Sequence, residues 1–430
     1  MAYTDFIAAI DLGTSHMVGM VGTKNATGAL SIIAYEVENS GTCIRRGCVY
    51  NVKETASKIK RLILKLENKL GGTKIGQVYV GLGGQSLRSI EHTVCKVLGT
   101  EGVVTEEIID SLYQECKDYR PDMLTVLDVV SPSYFLDDKP ESNPVGVPCS
   151  RIEARYKLIV GRPSLKLNIV NSISEQAKIE IAGILVSPLA LGDVVLSDNE
   201  KDLGCALIGF GAGVTTISVY KGGKLASLSV VPFGGNLITK DITNLRVVES
   251  EAERLKITYG SAKADRDNDM TIQVSLADGM GLREIKLAEL NGVIEARMDE
   301  ILENVYARLE ATGLMSVLGA GIVITGGGAA LKNLPAVMSE RLKMEVRYSA
   351  VRKGVVASGD LVVASNPEYA VAVGLLAKGT KNCALYIPPK PEPKIEPVVE
   401  PEPTVEPTPE PEPVKEKPKK EKKKGPGLFG

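Results

Sequence analysis

Three short stretches carry residue types that could hold a phosphate. Asp11-Leu-Gly-Thr-Ser lies between two apolar, strand-like runs. A tight turn there would aim backbone N–H groups and the hydroxyls of Thr14 and Ser15 at one point. Asp11, at the strand end, could hold a hydrated Mg²⁺. Gly211-Ala-Gly-Val-Thr-Thr repeats the chemistry: Gly211 and Gly213 permit close backbone approach, and Thr215 and Thr216 offer hydroxyls. Gly326-Gly-Gly-Ala follows the apolar run GIVIT and is expected to open a helix, so a phosphate or flat group could lie against its backbone. Each turn alone reads equally well as a plain hairpin or packing turn. Together, each after an apolar strand, they point to a nucleotide cleft between two facing halves.

Holding these turns in place requires strands and helices around them. The runs Phe6 to Ile10, MVGMVG and SIIAYEVEN predict three strands, with KNATG as the loop between the second and third. VKETASKIKRLILKLENKL predicts an amphipathic helix, because Ile59, Leu62, Ile63, Leu66 and Leu70 recur at helical spacing and Gly71-Gly72 stop it. QVYVGLGG follows as a strand. From near Gly204 the parts recur: the strand CALIGF, the glycine turn, a hairpin around Gly222-Gly223 and the helical stretch ESEAERLKITYG. Two related halves are expected, a coarse duplication rather than a short repeat. Between them, residues 86–162 differ in character. TEEIIDSLYQECKDY reads as a helix capped by Thr105, with Glu106 and Glu107 in its first turn. TVLDVVSPSYFLDD and EARYKLIVGR read as strands, making a small inserted α+β subdomain.

Composition bounds the partners. At roughly 150 residues per domain, 430 residues suggest about three units. Hydrophobic residues at 44% and charged residues at 24% fit a globular chain with a sizeable core. A net charge of -2, no Trp and five Phe argue against a nucleic-acid partner, for want of both excess positive charge and stacking aromatics. No signal peptide or membrane-spanning run is expected. Seven scattered Cys without a C-x-x-C pair read as thiols in a reducing cytoplasm, and with two His they argue against a zinc site. Thirteen of the 23 prolines fall between Pro388 and Pro426, so residues 388–430 are expected to be a disordered Pro/Glu/Lys-rich tail. Such a tail is either a solvated spacer or a tether whose basic end, Lys415 to Lys424, meets an anionic surface at about 1 kcal/mol per Lys.

The order DLGTS, FGAGVTT, AERLK, TGGGA resembles the actin-like ATPase superfamily, and within it the FtsA family of bacterial cell-division proteins. GQVYVGLGGQSLRSI resembles that family's strand leading into its inserted subdomain, VVPFGGNLITKDI its connecting segment after the second phosphate loop, and PEYAVAVGLLAKG its closing helix. The resemblance implies an α/β, two-domain actin-like fold with subdomain 1A at 1–85 and 163–200, 1C at 86–162, 2A at 201–246 and 319–387, and 2B at 247–318. It implies ATP with Mg as cofactors. Gly13, Thr14, Ser15 and His16 match the first phosphate loop, and Gly211, Gly213 and Thr215 the second. Glu253 and Lys256 match the helix flanking the adenosine, and Gly326, Gly327, Gly328 and Ala329 the adenine-side turn. Without that context, Glu253 and Lys256 read as a solvated salt bridge. The implied role is a scaffold that polymerises head to tail and tethers the FtsZ ring to the inner face of the cytoplasmic membrane at the division site. The FtsZ C-terminal peptide would dock on roughly Val247 to Leu318, where DMTIQVSLADGMGLREIKLAEL reads as a small hairpin pair. Later division proteins would be recruited through the same scaffold.

The sequence departs from the family at three places. Gly209 stands where relatives commonly carry an Asp, and His16 where they often carry Lys. A glycine offers no carboxylate, and a neutral imidazole gives a phosphate less charge than an ammonium. At most slow ATPase activity is therefore expected. The family's terminal amphipathic helix is expected to be truncated or absent, since only Leu428 and Phe429 follow the basic run. Two alternatives remain open: a pilus-assembly adaptor of the same superfamily, distinguished by its partner, and a sugar or acetate kinase, which Gly209 disfavours.

Overall fold

A computed structural model describes residues 5–99, 102–275, 281–357 and 366–385. The tail at 388–430, with the expectations of disorder and of a truncated anchor, lies outside the described residues.

Strands β1 (Ile7–Leu12), β2 (His16–Lys24) and β3 (Leu30–Asn39) form an antiparallel meander. A short hairpin follows, β4 (Ile44–Arg45) and β5 (Cys48–Val49). Helix α1 (Val52–Lys69) starts where Asn51 Oδ1 accepts from the Glu54 amide at 3.1 Å. Its stripe of Ile59, Leu62, Ile63 and Leu66 is buried, and it ends as Gly71 and Gly72 take positive φ. Strand β6 (Gln77–Leu82) returns parallel to β1. The chain then leaves the sheet. Strand β7 (Arg88–Val97), helix α2 (Glu106–Asp118) and strands β8 (Thr125–Leu136), β9 (Lys139–Glu141) and β10 (Arg151–Gly161) build a separate antiparallel sheet of order β7-β10-β8-β9. Thr105 caps α2, accepting from the Ile108 amide. Leu112, Cys116, Ile152 and Tyr156 belong to this unit's own core. Helix α3 (Ser164–Val170) runs into a π-helical turn (Asn171–Ala177), and β11 (Glu180–Val186) rejoins the first sheet beside β6, followed by α4 (Ser187–Val195) and α5 (Asp198–Leu203).

The second half repeats the plan. Strands β12 (Cys205–Phe210), β13 (Thr215–Lys221) and β14 (Lys224–Val231) form a second meander. Helices α6 (Gly235–Ile242) and α7 (Glu249–Tyr259), the hairpin β15 (Thr271–Ser275) and β16 (Leu282–Lys286), and α8 (Leu287–Glu310) lead to β17 (Ile322–Thr325), parallel to β12. Helix α9 (Leu334–Leu342), β18 (Val346–Tyr348) and α10 (Ala370–Lys378) complete it. The sheet orders are β11-β6-β1-β2-β3 and β14-β13-β12-β17-β18. Read from opposite edges they are the same order, so the duplication expected from the sequence is present in the strands.

One core lies against the first sheet with α1, α4 and α10 and continues onto one face of the second sheet through Cys205, Leu207, Tyr220 and Leu228. The other face of the second sheet, with Ala206, Ile208 and Phe210, packs on α6 and α8. Helix α8, which the sequence reading did not single out, buries Leu290, Ile294, Met298, Ile301, Val305 and Leu309 on one face. Each such side chain contributes about 1.5–3 kcal/mol. After β17 the triple glycine opens a 3-10 turn (Gly327–Ala330), with the α-helix starting only at Leu334. Among the described residues, no helix is long and apolar enough to cross a membrane.

Candidate functional site

The two meanders present their first turns to each other. Four residues, Gly13 to His16, join Leu12 to Met17 across β1 and β2, and four, Gly211 to Val214, join Phe210 to Thr215 across β12 and β13. The backbone paths agree in detail. A β-carbon on Gly13 would lie 2.5 Å from the His16 carbonyl oxygen, and one on Gly211 would lie 2.9 Å from that of Val214. Both positions therefore require glycine for space. The Gly13 carbonyl accepts from Ser40 Oγ at 2.7 Å, and the Gly211 carbonyl accepts from the Gly235 amide at 3.0 Å. The turns also touch, since a β-carbon on Gly213 would sit 2.6 Å from Thr14 Oγ1.

Between the halves lies a cleft of about 420 Å³, within the range of small-molecule sites. Its first wall holds Asp11, Gly13, Thr14, Ser15 and His16. Its second holds Gly211 and Gly213, with Gly326, Gly327 and Gly328 beyond and Glu253 and Lys256 at the side. Gly326 has a φ of +87°, and a β-carbon there would lie 2.5 Å from the Phe210 carbonyl oxygen. The bare backbone of this turn is thus enforced.

Two residues expected at the site stand elsewhere. Thr215 is fully buried, and its hydroxyl donates to the Phe233 carbonyl at 2.9 Å. Thr215 pairs across from the buried Phe210, so pleat alternation turns it to the core and turns Thr216, paired with Gly209, to the cleft. Ala329 is buried within the 3-10 turn and does not line the cleft. Several lining residues went unnoticed in the sequence. Gly83 and Gly84 follow β6 as Gly326 and Gly327 follow β17, so a glycine pair after an apolar strand was the available signal. Ser187, Asn236, Thr325 and Glu368 carry no local signal and arrive through the fold.

Burial sets the electrostatics. Asp11 lies on the cleft floor, where loss of solvent pushes its carboxyl up to about 6, partly offset by the Leu12 amide. It makes no ion pair among the described residues. Lys256 Nζ lies 2.7 Å from Glu253 Oε2 and donates to Thr239 Oγ1 at 2.8 Å and to the Gly235 carbonyl at 3.2 Å. Its charge is therefore committed to its own helix pair. His16 Nδ1 is 2.9 Å from Ser15 Oγ. At Gly209 a β-carbon would meet Thr216 Oγ1 at 2.7 Å, so a hydroxyl fills the space beside the missing carboxylate. Thr325 lines this cleft, and its Oγ1 is buried with no hydrogen-bond partner among the described residues.

These features fit a nucleotide. Glycine backbone lines the cleft at three turns, two hairpins meet across it, and an unpartnered hydroxyl lies buried in its wall. They also fit Mg²⁺, which is held in such sites by one carboxylate plus phosphate and water oxygens. Among the described residues no cluster of three or more His, Cys, Asp or Glu could hold an ion on its own.

Two like-ordered sheets with facing glycine hairpins define an actin-like two-domain protein. Solved structures agree. The PilM–PilN type IV pilus biogenesis complex matches at a TM-score of 0.60 and 16% identity, covering 86% of this chain and 97% of that one. The MamK double helical filament matches at a TM-score of 0.50 and 12% identity, covering 86% and 97%. The cell division protein FtsA of Porphyromonas gingivalis is 39% identical over 382 residues, covering 88% of this chain and 79% of that protein. A family model described as cell division protein FtsA matches residues 206–374. The chain belongs to the FtsA family of cell-division proteins.

Proposed function

We propose that the chain is an ATP-binding division scaffold that polymerises head to tail and tethers FtsZ filaments to the inner face of the cytoplasmic membrane. The observation that carries the ATP reading is the pair of matched hairpins, Gly13 to His16 and Gly211 to Val214, converging across one cleft. Their amides would hold the phosphates, Asp11 would hold Mg²⁺ through water, Glu253 and Lys256 would flank the ribose, and Gly326 to Gly328 would face the adenine. Mg²⁺ would neutralise phosphate charge there. Gly209 leaves this end of the cleft with one carboxylate from the paired strand ends, in keeping with slow turnover or none.

The tether reading rests on family membership. Within it we assign subdomain 1A to 1–85 and 163–200, 1C to 86–162, 2A to 201–246 and 319–387, and 2B to 247–318. The FtsZ C-terminal peptide would dock on 2B, where the β15–β16 hairpin leads into α8. Membrane attachment and recruitment of later division proteins belong to the same proposal. Titrating a labelled FtsZ C-terminal peptide into the full chain, with and without Mg-ATP, tests it. Saturable micromolar binding is expected. Absence of binding in a chain that still takes up ATP would remove the tether and leave the nucleotide site standing.

A further inference from the structure

The cleft is short of positive charge for a triphosphate. Of its described lining residues only Lys256 and His16 are basic, and Lys256 is engaged by Glu253 and Thr239. One arginine stands next to the phosphate turns without an acidic partner. The β4–β5 hairpin turns on Arg46 and Gly47, whose φ angles are +50° and +71°. Two consecutive left-handed residues make a turn that favours Asn and Gly, and arginine at its first position is strained. Such strain persists where surrounding contacts fix it, and it gathers at functional sites.

The contacts here are specific. The Gly47 amide donates to Thr14 Oγ1 at 2.9 Å, which ties this turn to the first phosphate loop. A β-carbon on Gly213 would lie 3.0 Å from Arg46 Cα, which seats the turn on the second loop as well. The Gln85 amide donates to the Arg46 carbonyl at 3.1 Å. Gly47 itself lines the cleft. The Arg46 side chain is exposed, and among the described residues its guanidinium donates only to a neutral acceptor, Gln85 Oε1, at 3.2 Å. It forms no ion pair among the described residues. Neighbouring Arg45 differs, because its guanidinium stacks on Tyr50 at 3.9 Å.

We propose that Arg46 is the cation that reads the terminal phosphate of a nucleoside triphosphate, leaving Gln85 to reach the junction of the two glycine hairpins. This rests on the reading of the cleft as a nucleotide site. A planar guanidinium there supplies two donors to one phosphate and adds a positive charge to a cleft whose Lys256 is already engaged. The strained turn fixes its backbone at the junction.

Calorimetric titration of the full chain with Mg-ATP and with Mg-ADP tests this. The variants are Arg46→Gly, Arg46→Lys and Arg45→Ala. Glycine suits the positive φ at position 46, so Arg46→Gly keeps or raises the melting temperature. It is expected to weaken ATP about tenfold or more and to leave ADP within about twofold. Arg46→Lys recovers part of the loss, since it keeps charge without the fork, and Arg45→Ala binds both nucleotides like wild type. An Arg46→Gly protein that binds ATP as wild type does, or loses ATP and ADP equally, overturns the assignment and leaves the cleft intact. A wild-type chain that binds neither nucleotide removes the nucleotide reading and this proposal with it.

Discussion

Asp11 shares the cleft floor with Ser187, and both crowd the place where a Gly81 side chain would go. Burial lifts the carboxyl from an ordinary 3.8 to about 6. A folded-state value above the unfolded one means that the folded chain holds its proton more tightly. The ionised group therefore costs stability above about pH 6, and the cost fades as pH falls toward 4. The upper bound is roughly 2–3 kcal/mol, because the cleft admits some solvent. Asp11→Asn should melt at a higher temperature than wild type at pH 7.5, with the gap closing by pH 4. The same variant should lose the Mg²⁺ dependence of nucleotide binding. Identical melting curves at both pH values would show that the charge is not buried at a cost. Asp11 was legible in the sequence because a carboxylate ending an apolar run is conspicuous. Thr215 was misread for the opposite reason. Two adjacent threonines look alike in a string, and only the Gly209–Thr216 register decides which one meets the cleft.

Turns and strands carry the next level of control. Gly326 combines a φ of +87° with a would-be β-carbon 2.5 Å from the Phe210 carbonyl oxygen, whereas Gly222, at +59°, has open space around it. Conformation alone penalises alanine at both, and a steric clash is added only at Gly326. Gly222→Ala should cost about 1 kcal/mol, and Gly326→Ala more than about 2 kcal/mol together with the nucleotide site. Denaturant midpoints compare them, and equal losses would mean that the β17 turn yields without strain. The elements legible in advance were those with a strong local signal: the meanders, α1 with its stripe and glycine stop, α2 with its Thr105 cap, and the hairpin at Gly222-Gly223. Helix α8 has an apolar face too, but it begins directly from β16, so no cap or loop announced it. The β4–β5 hairpin is too short for any periodicity, and its meaning comes from contacts with residues far away in the chain.

At the scale of the molecule, the inserted sheet does more than fill a gap between strands of the first half. Its outer strand β7 meets β14, the outer strand of the second sheet. The Leu228 amide donates to Ser89 Oγ at 2.8 Å, and Lys224 Nζ donates to the Pro132 carbonyl. An outer strand has a row of unpaired amides, and a side chain from a neighbouring unit can satisfy one of them. A unit inserted into the first half thus holds the edge of the second. Composition and pattern could delimit the insert, but not where its strands dock, because docking depends on single polar contacts between distant segments. Ser89→Ala leaves the Leu228 amide without this acceptor. The free energy of opening at that edge should fall by about 1 kcal/mol, and exchange of the Leu228 amide should speed up in proportion, about fivefold. Ile208, in the middle of the same sheet, should keep its wild-type rate, since its pairing with Ile217 and Ile324 is untouched. Hydrogen exchange read residue by residue separates the cases. A faster Leu228 with an unchanged Ile208 means that the insert braces the second half locally, an equal rise at both means that it braces the whole domain, and no change at either means that the two units part freely.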